Sequence, residues 1–252
     1  MHLKLVRMFY ALMSILKIES DMKRMREFIP GEAFMAIYLV QFLSFLLMST
    51  SLACGTVKSA PEVVAPIAEA PVVAKGEQVA VFAGGCFWGV DAVFKHVKGV
   101  KEVKSGYSGG EAKTATYDRV SEGDTGHAES VQVTFDPTKV TYVQLLTVFF
   151  SVAHDPTQLN FQGPDHGTQY RSAIFYTNDE QRSQAQAYID AITKAKAFSS
   201  PVVTQVVPLK AFYSAEDYHQ NYLALHPKQP YIVVNDAPKV ADLKQRFPQF
   251  YQ

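Results

Sequence analysis

Pro61, Pro66 and Pro71 recur every fifth residue through Thr56–Gly76 (TVKSAPEVVAPIAEAPVVAKG), and no other feature restricts the fold of this chain as much. Each proline fixes its φ and removes a backbone donor. A stretch of Pro, Ala and Val resists packing into a core and favours an extended, semi-rigid spacer. It therefore reads as a tether, and residues 78–252 are left to build the globular part. That length suits one domain.

Ahead of the tether, Ala33–Met48 (AFMAIYLVQFLSFLLM) is apolar apart from Gln41 and Ser44, with Lys23, Arg24 and Arg26 before it and STSLACG after it. A basic n-region, an apolar h-region and small residues before a break form a secretory signal. Met22 or Met25 is then the start of the signal proper. Ser51 and Ala53 satisfy the small-x-small rule for cleavage before Cys54. A cysteine at that point also resembles a bacterial lipoprotein signal, in which Cys54 would carry lipid and anchor the protein to a membrane, although Ser51 stands where such signals usually have leucine. An uncleaved anchor is the third alternative, and for it the apolar run is slightly short. The expected organisation is an N-terminal extension and signal segment over residues 1–53, a linker over 54–77 and a catalytic domain over 78–252. The expected location is the cell envelope, as a periplasmic protein or membrane-anchored lipoprotein; a chain without a working signal would be cytoplasmic.

Charge and cysteine usage exclude several classes. Lys+Arg and Asp+Glu both number 24, so no basic excess points to nucleic acid. Only Cys54 and Cys86 are present, too few for a disulfide scaffold or a cysteine-rich zinc site. A hydrophobic content of 48%, with 13 Tyr and 17 Phe, supplies a sizeable core rather than a disordered chain.

Periodicity gives the elements of that core. QVAVFAG, from Gln78, reads as a short strand, and GGCFWG (84–89) as a sharp turn into a helix ending near His96. Glu129–Phe135 alternates, with Val131, Val133 and Phe135 on one face, as a half-buried strand does. Thr141 and Gln144 form a capping-box pattern for a helix carrying Leu145, Leu146, Val148 and Phe149. Arg171–Thr177 and Val202–Val207 read as strands, with a helix capped by Asn178 between them and a further helix from Ser214 to before Pro227. The expected fold class is α/β (α+β): a single domain with a mixed central sheet flanked by helices.

Cys86 is the residue most able to do chemistry. It follows two glycines at a strand end and opens a helix, where orphan N–H groups and the helix dipole favour a thiolate. Phe87 and Trp88, the chain's one tryptophan, follow directly, so a soft nucleophile would stand beside aromatic faces suited to an apolar group. The alternative is a buried structural cysteine at a helix start.

GGCFWG (84–89) resembles the signature of the A-type methionine sulfoxide reductases. It is followed in order by GYSGG (106–110), TYDRV (116–120), GDTGHAE (123–129), HDPT (154–157), GPDHGTQYRSAIF (163–175) and FYSAEDYHQNY (212–222). The resemblance runs from about Val79 to His226. It implies thiol-dependent reduction of methionine S-sulfoxide, free or in proteins, without a cofactor. By the same resemblance Cys86 attacks the sulfoxide sulfur and becomes a sulfenic acid, and Phe87 and Trp88 hold the substrate methyl group. Glu129 protonates the sulfoxide oxygen with help from the Tyr117 and Tyr170 hydroxyls, and Asp165 orients the substrate or the network around it. A poor leaving oxygen needs a proton, which a carboxylic acid kept neutral by burial can supply.

Two positions depart from the pattern. Asp91 stands where relatives commonly carry Glu, and Ser121 where some carry another cysteine. No cysteine follows Cys86, so an external thiol, a thioredoxin-like protein or a small thiol, is the expected reductant, and the protein is expected to act as a monomer. Two other classes compete with an enzyme: a metal site from His127, Glu129, His154 and His166, which lacks recognised ligand spacing, and a non-catalytic envelope module that binds oxidised methionine.

Overall fold

The run QVAVFAG forms strand β1 (Gln78–Gly84), and it lies inside the sheet rather than at an edge. The computed structural model describes residues 76–252; the signal segment, Cys54 and nearly all of the tether lie outside the described residues. β2 (Val100–Ser108), β3 (Ala128–Phe135), β6 (Ser172–Tyr176), β7 (Gln205–Pro208) and β8 (Phe212–Ser214) complete a six-stranded sheet ordered β7-β6-β1-β3-β2-β8. β6 and β7 run parallel, and the other neighbours are antiparallel. The sheet is therefore mixed, as expected.

One face of the sheet carries the main core. Phe82, Val131, Val133 and Phe135 pack there with Phe94 of α1 (Phe87–Lys95) and with Leu145 and Leu146 of α3 (Tyr142–Val148). The short helix α2 (Tyr117–Ser121) lies between β2 and β3 in the chain. Val81, Ala83, Ala128, Ala173 and Phe175 form a smaller cluster with the opposite pleat. Alternation thus puts apolar residues on both faces of β1, so both must be covered.

The local signals at the helix starts are realised. Thr141 Oγ1 accepts from the Gln144 N–H at 3.2 Å while Gln144 Oε1 accepts from the Thr141 N–H at 3.0 Å, closing the capping box. Asn178 caps α4 (Asp179–Lys194) through the Gln181 N–H at 2.9 Å. The expected helix from Ser214 is not formed. Ser214 instead ends β8, which pairs with β2, and only a short turn over Asp217–His219 and the helix α5 (Tyr222–Leu225) follow. Asn221 sits at φ 55°, a left-handed conformation that interrupts any continuous helix through this segment. The C-terminal helix α6 (Ala237–Arg246) follows a π turn over Ile232–Asp236.

Behind the start of α1, His154 ties α3 to β6. The carbonyl of Phe149 can only accept, so Nδ1 of His154 donates to it at 3.0 Å, and Nε2 accepts from the Ser172 hydroxyl at 2.7 Å. Burial is the main reason that the imidazole is held down to about 4, with the Phe149 carbonyl opposing. The neutral ring is favoured in the folded state, so its contribution is fully present above the ordinary histidine value. It is lost as pH falls from about 6.5 to about 4. Unfolding in urea is expected to show His154→Gln losing on the order of 2–3 kcal/mol less stability over that window than the wild-type chain. Equal losses in the two proteins would mean that other groups carry the acid sensitivity.

Candidate active site

β1 delivers the chain to Cys86 through Gly84 and Gly85. Gly85 sits at φ 87°, and a Cβ there would meet the Gln162 side chain at 2.5 Å, so only glycine allows this turn. Gln162 is fixed in its turn by Asp155, whose N–H donates to Oε1 at 2.9 Å and whose carbonyl accepts from Nε2 at 3.0 Å. Cys86 is the N-cap residue of α1 and is 8% exposed.

Glu129 reaches the same point from β3. It is 3% exposed, and its Oε2 accepts from the Phe87 N–H at 3.0 Å, one residue past the thiol. In the fold β3 is an interior strand, and the Glu129 carboxyl is buried against the start of α1. Burial pushes this carboxyl up to about 8, against the Phe87 hydrogen bond and with added repulsion from Asp165 and Asp236.

That carboxyl reverses one expectation. The helix start was expected to favour a thiolate. Instead the Cys86 thiol is pushed well above its ordinary value, first by burial and then by Glu129 and Asp236; the Trp88 backbone N–H works the other way. The Phe87 N–H serves Glu129, and burial together with the neighbouring carboxylates outweighs the Trp88 N–H and the dipole.

Two phenols face these groups. Burial and then Glu129 raise both Tyr117 and Tyr170, and Cys86 adds a smaller push to each. Tyr117 opens α2, where its backbone N–H donates to Glu216 Oε1 at 2.9 Å, and its ring lies 4.4 Å from that of His219. Tyr170 follows Gly167 in a short turn before β6, and the next residue, Arg171, donates to the carbonyls of Gly126, His127 and Thr168. Those bonds tie the Tyr170 turn to the loop leading into Glu129. Asp165, in the two-residue strand β5 (Asp165–His166) paired with β4 (Phe161–Gln162), accepts from the Tyr231 hydroxyl.

Trp88 stacks on Tyr222 with centroids 3.7 Å apart and planes 6° apart, and its Nε1 donates to His219 Nδ1 at 3.1 Å. The edge of Tyr231 meets it at 5.9 Å. Phe87 is only 1% exposed, packed by Tyr107 and His219, so it lies beneath the site while Trp88 keeps partial exposure. Trp88→Ala is expected to lower kcat/KM by roughly 5- to 100-fold, the range for losing apolar contact with a methyl-sized group. Trp88→Phe should recover part of that. A loss confined to thermal stability, with efficiency per folded molecule unchanged, would make Trp88 a packing residue only.

Glu216, His219, Tyr222, Tyr231 and Asp236 were not singled out from the sequence. The first three lie in or against FYSAEDYHQNY, but Tyr231 and Asp236 fall beyond the resembling blocks, with no local pattern to mark them. The residues of the competing metal reading are separated: both ring nitrogens of His127 bond to backbone at Gly110 and Glu111, and both of His154 to Phe149 and Ser172.

The family model described as peptide methionine sulfoxide reductase matches residues 78–250. The chain is 62% identical over 178 residues to peptide methionine sulfoxide reductase MsrA 2 of Mesorhizobium japonicum, covering 71% of this chain and 91% of that protein. To MsrA 2 of Synechocystis sp. it is 51% identical over 190 residues, covering 75% and 89%. Among solved structures it is similar to Mxr1 of Saccharomyces cerevisiae in reduced form, with a TM-score of 0.56 and 34% identity over 61% of this chain and 87% of that one. Methionine sulfoxide reductase A of Corynebacterium diphtheriae gives a TM-score of 0.54 at 34% identity, covering 62% and 78%.

Proposed function

The chain belongs to the peptide methionine sulfoxide reductase family, and we propose that Cys86, Glu129, Tyr117, Tyr170 and Asp165 carry out its reaction. It is an oxidoreductase that uses thiols to reduce methionine sulfoxide, a protein-repair activity. The observation that carries the assignment of roles is the Glu129 carboxyl bonded to the N–H directly after Cys86, both groups being buried.

At rest the thiol of Cys86 and the carboxyl of Glu129 are both protonated below pH about 8. The sulfoxide sulfur lies against the thiol, with its methyl group on Trp88 and its oxygen towards Glu129 and the two phenols. Glu129 gives its proton to that oxygen as the Cys86 sulfur attacks, and the thiol proton restores the carboxyl. The Tyr117 and Tyr170 hydroxyls stabilise charge developing on the oxygen. The S–S bond formed by the attack and the S–O bond of the substrate then both break as the protonated oxygen passes to the Cys86 sulfur, so methionine leaves and Cys86 becomes a sulfenic acid. Two external thiols then return Cys86 to a thiol, releasing water and becoming a disulfide. No other cysteine occurs among the described residues, which favours an external thiol, small or thioredoxin-like, over an internal disulfide.

With the methyl group on Trp88, the oxygen at Glu129 and the sulfur facing Cys86, three directions are set at a chiral sulfur, so one epimer fits; the resemblance to the A-type enzymes makes that epimer the S-sulfoxide. The signal-like segment before Cys54 supports work in the cell envelope on proteins oxidised there, with lipid at Cys54 as the anchor. Incubating the protein with dithiothreitol and each methionine sulfoxide epimer tests the specificity. Consumption of the S form alone is expected, and equal consumption of both would contradict it.

A further inference from the structure

Asp236 joins the π turn to α6 with helical backbone (φ −107°, ψ −43°), and its side chain makes no hydrogen bond to the start of α6. The carboxylate points instead at α1. A Cβ added to Gly89 would fall within contact of Asp236 Oδ1, and would meet its Cγ and the Lys239 ammonium at 2.9 Å each. Asp236 is 0% exposed; Lys239 Nζ lies 3.3 Å from Oδ1, and Oδ2 has no hydrogen-bond partner among the described residues. A buried carboxylate oxygen without a donor is costly.

Gly89 is three residues beyond Cys86 on the first turn of α1, and residues so spaced share a helix face about 5–6 Å apart. The carboxylate therefore occupies the space beside Cys86 that a side chain at Gly89 would fill. We propose that Asp236, balanced by Lys239, is a positioning residue for the nucleophile, keeping the Cys86 sulfur in its thiol form until substrate enters. This rests on the reading of Cys86 as the nucleophile and adds the group that sets its resting state.

Several charged and titratable groups surround Cys86: Glu129 from β3, Asp165 from β5, Tyr117 from α2, Tyr170 before β6, Tyr231 before the π turn, and Lys239 from α6. Of the carboxylates, Asp236 alone is paired with an ammonium at the site, so its charge can be removed with or without its counter-charge. Burial raises the Cys86 thiol most, Glu129 comes next, and Asp236 follows, consistent with its place against Gly89.

The test follows alkylation of Cys86 by iodoacetamide across pH in the full chain, reading the Cys86 peptide by mass spectrometry. Asp236→Asn leaves the Lys239 ammonium unopposed, and alkylation at pH 7 is expected to rise roughly tenfold, as a fall of about one unit in the thiol produces. Asp236→Asn with Lys239→Gln removes both charges, so alkylation should fall back from the single variant's rate to a value between it and wild type. A purely steric role for Asp236 would leave the double variant as altered as the single one, which contradicts the proposal. So does a folded Asp236→Asn protein with a wild-type profile. If Asp236→Asn does not fold, Gly89→Ala displaces the same carboxylate; it should also accelerate alkylation, and an unchanged profile overturns the proposal. Alkylation reports the thiol whether or not it attacks a sulfoxide, so failure here and failure of the nucleophile assignment are separate results.

Discussion

Cys86→Ser is expected to lower turnover of methionine sulfoxide by ~10⁴-fold or more, the scale seen when a nucleophile is removed. The substitution exchanges sulfur for a smaller oxygen at a buried N-cap position where serine is itself favoured, so the fold should hold. The loss is chemical. A serine hydroxyl is a hard, weakly acidic nucleophile at neutral pH, and accepting the substrate oxygen would make a peroxide rather than a sulfenic acid. Steady-state assays with dithiothreitol measure the effect, and a retained rate within tenfold of wild type would move the nucleophile elsewhere.

Glu129→Gln should slow the first half-reaction by ~10²-fold or more, the usual contribution of a positioned general acid. The amide oxygen can still accept from the Phe87 N–H, so the start of α1 is kept while the transferable proton is lost. The acid form of Glu129 is needed, and its carboxyl is pushed up to about 8. The single-turnover rate of the wild-type chain is therefore expected to hold below that pH and to fall above it. The Gln variant should lack that fall. A variant with a near-normal rate, or with the same alkaline limb, would assign the proton to another donor such as Tyr117 or Tyr170.

Much of this arrangement was legible locally. The strand into GGCFWG, the alternation of β3 and the caps at Thr141 and Asn178 are short-range patterns, and the chain obeys them. β2 was not legible because Lys101, Glu102 and Lys104 break its apolar pattern, and a register shift falls between Val100 and Glu102. The Ser214 segment was misread as a helix because its pairing partner, β2, lies over a hundred positions earlier.

The same distance limits the site. The donor to His219 is Trp88, 131 positions away, and Glu129 meets the Phe87 N–H from 42 positions away. Cys86 itself stood out from its glycines and aromatics, but its resting protonation depends first on burial and then on carboxylates brought in from β3, β5 and the turn before α6. Neighbouring residues argue for a thiolate; only the assembled fold shows why the thiol is favoured.

The central claim, oxygen transfer from substrate to Cys86, is tested most directly by mass spectrometry of the protein after one equivalent of methionine S-sulfoxide without reductant. The account predicts one equivalent of methionine and a Cys86 peptide heavier by one oxygen atom, trapped by a sulfenic-acid reagent. Methionine released with Cys86 unmodified, or a disulfide between Cys54 and Cys86 formed as fast as methionine appears, would contradict it.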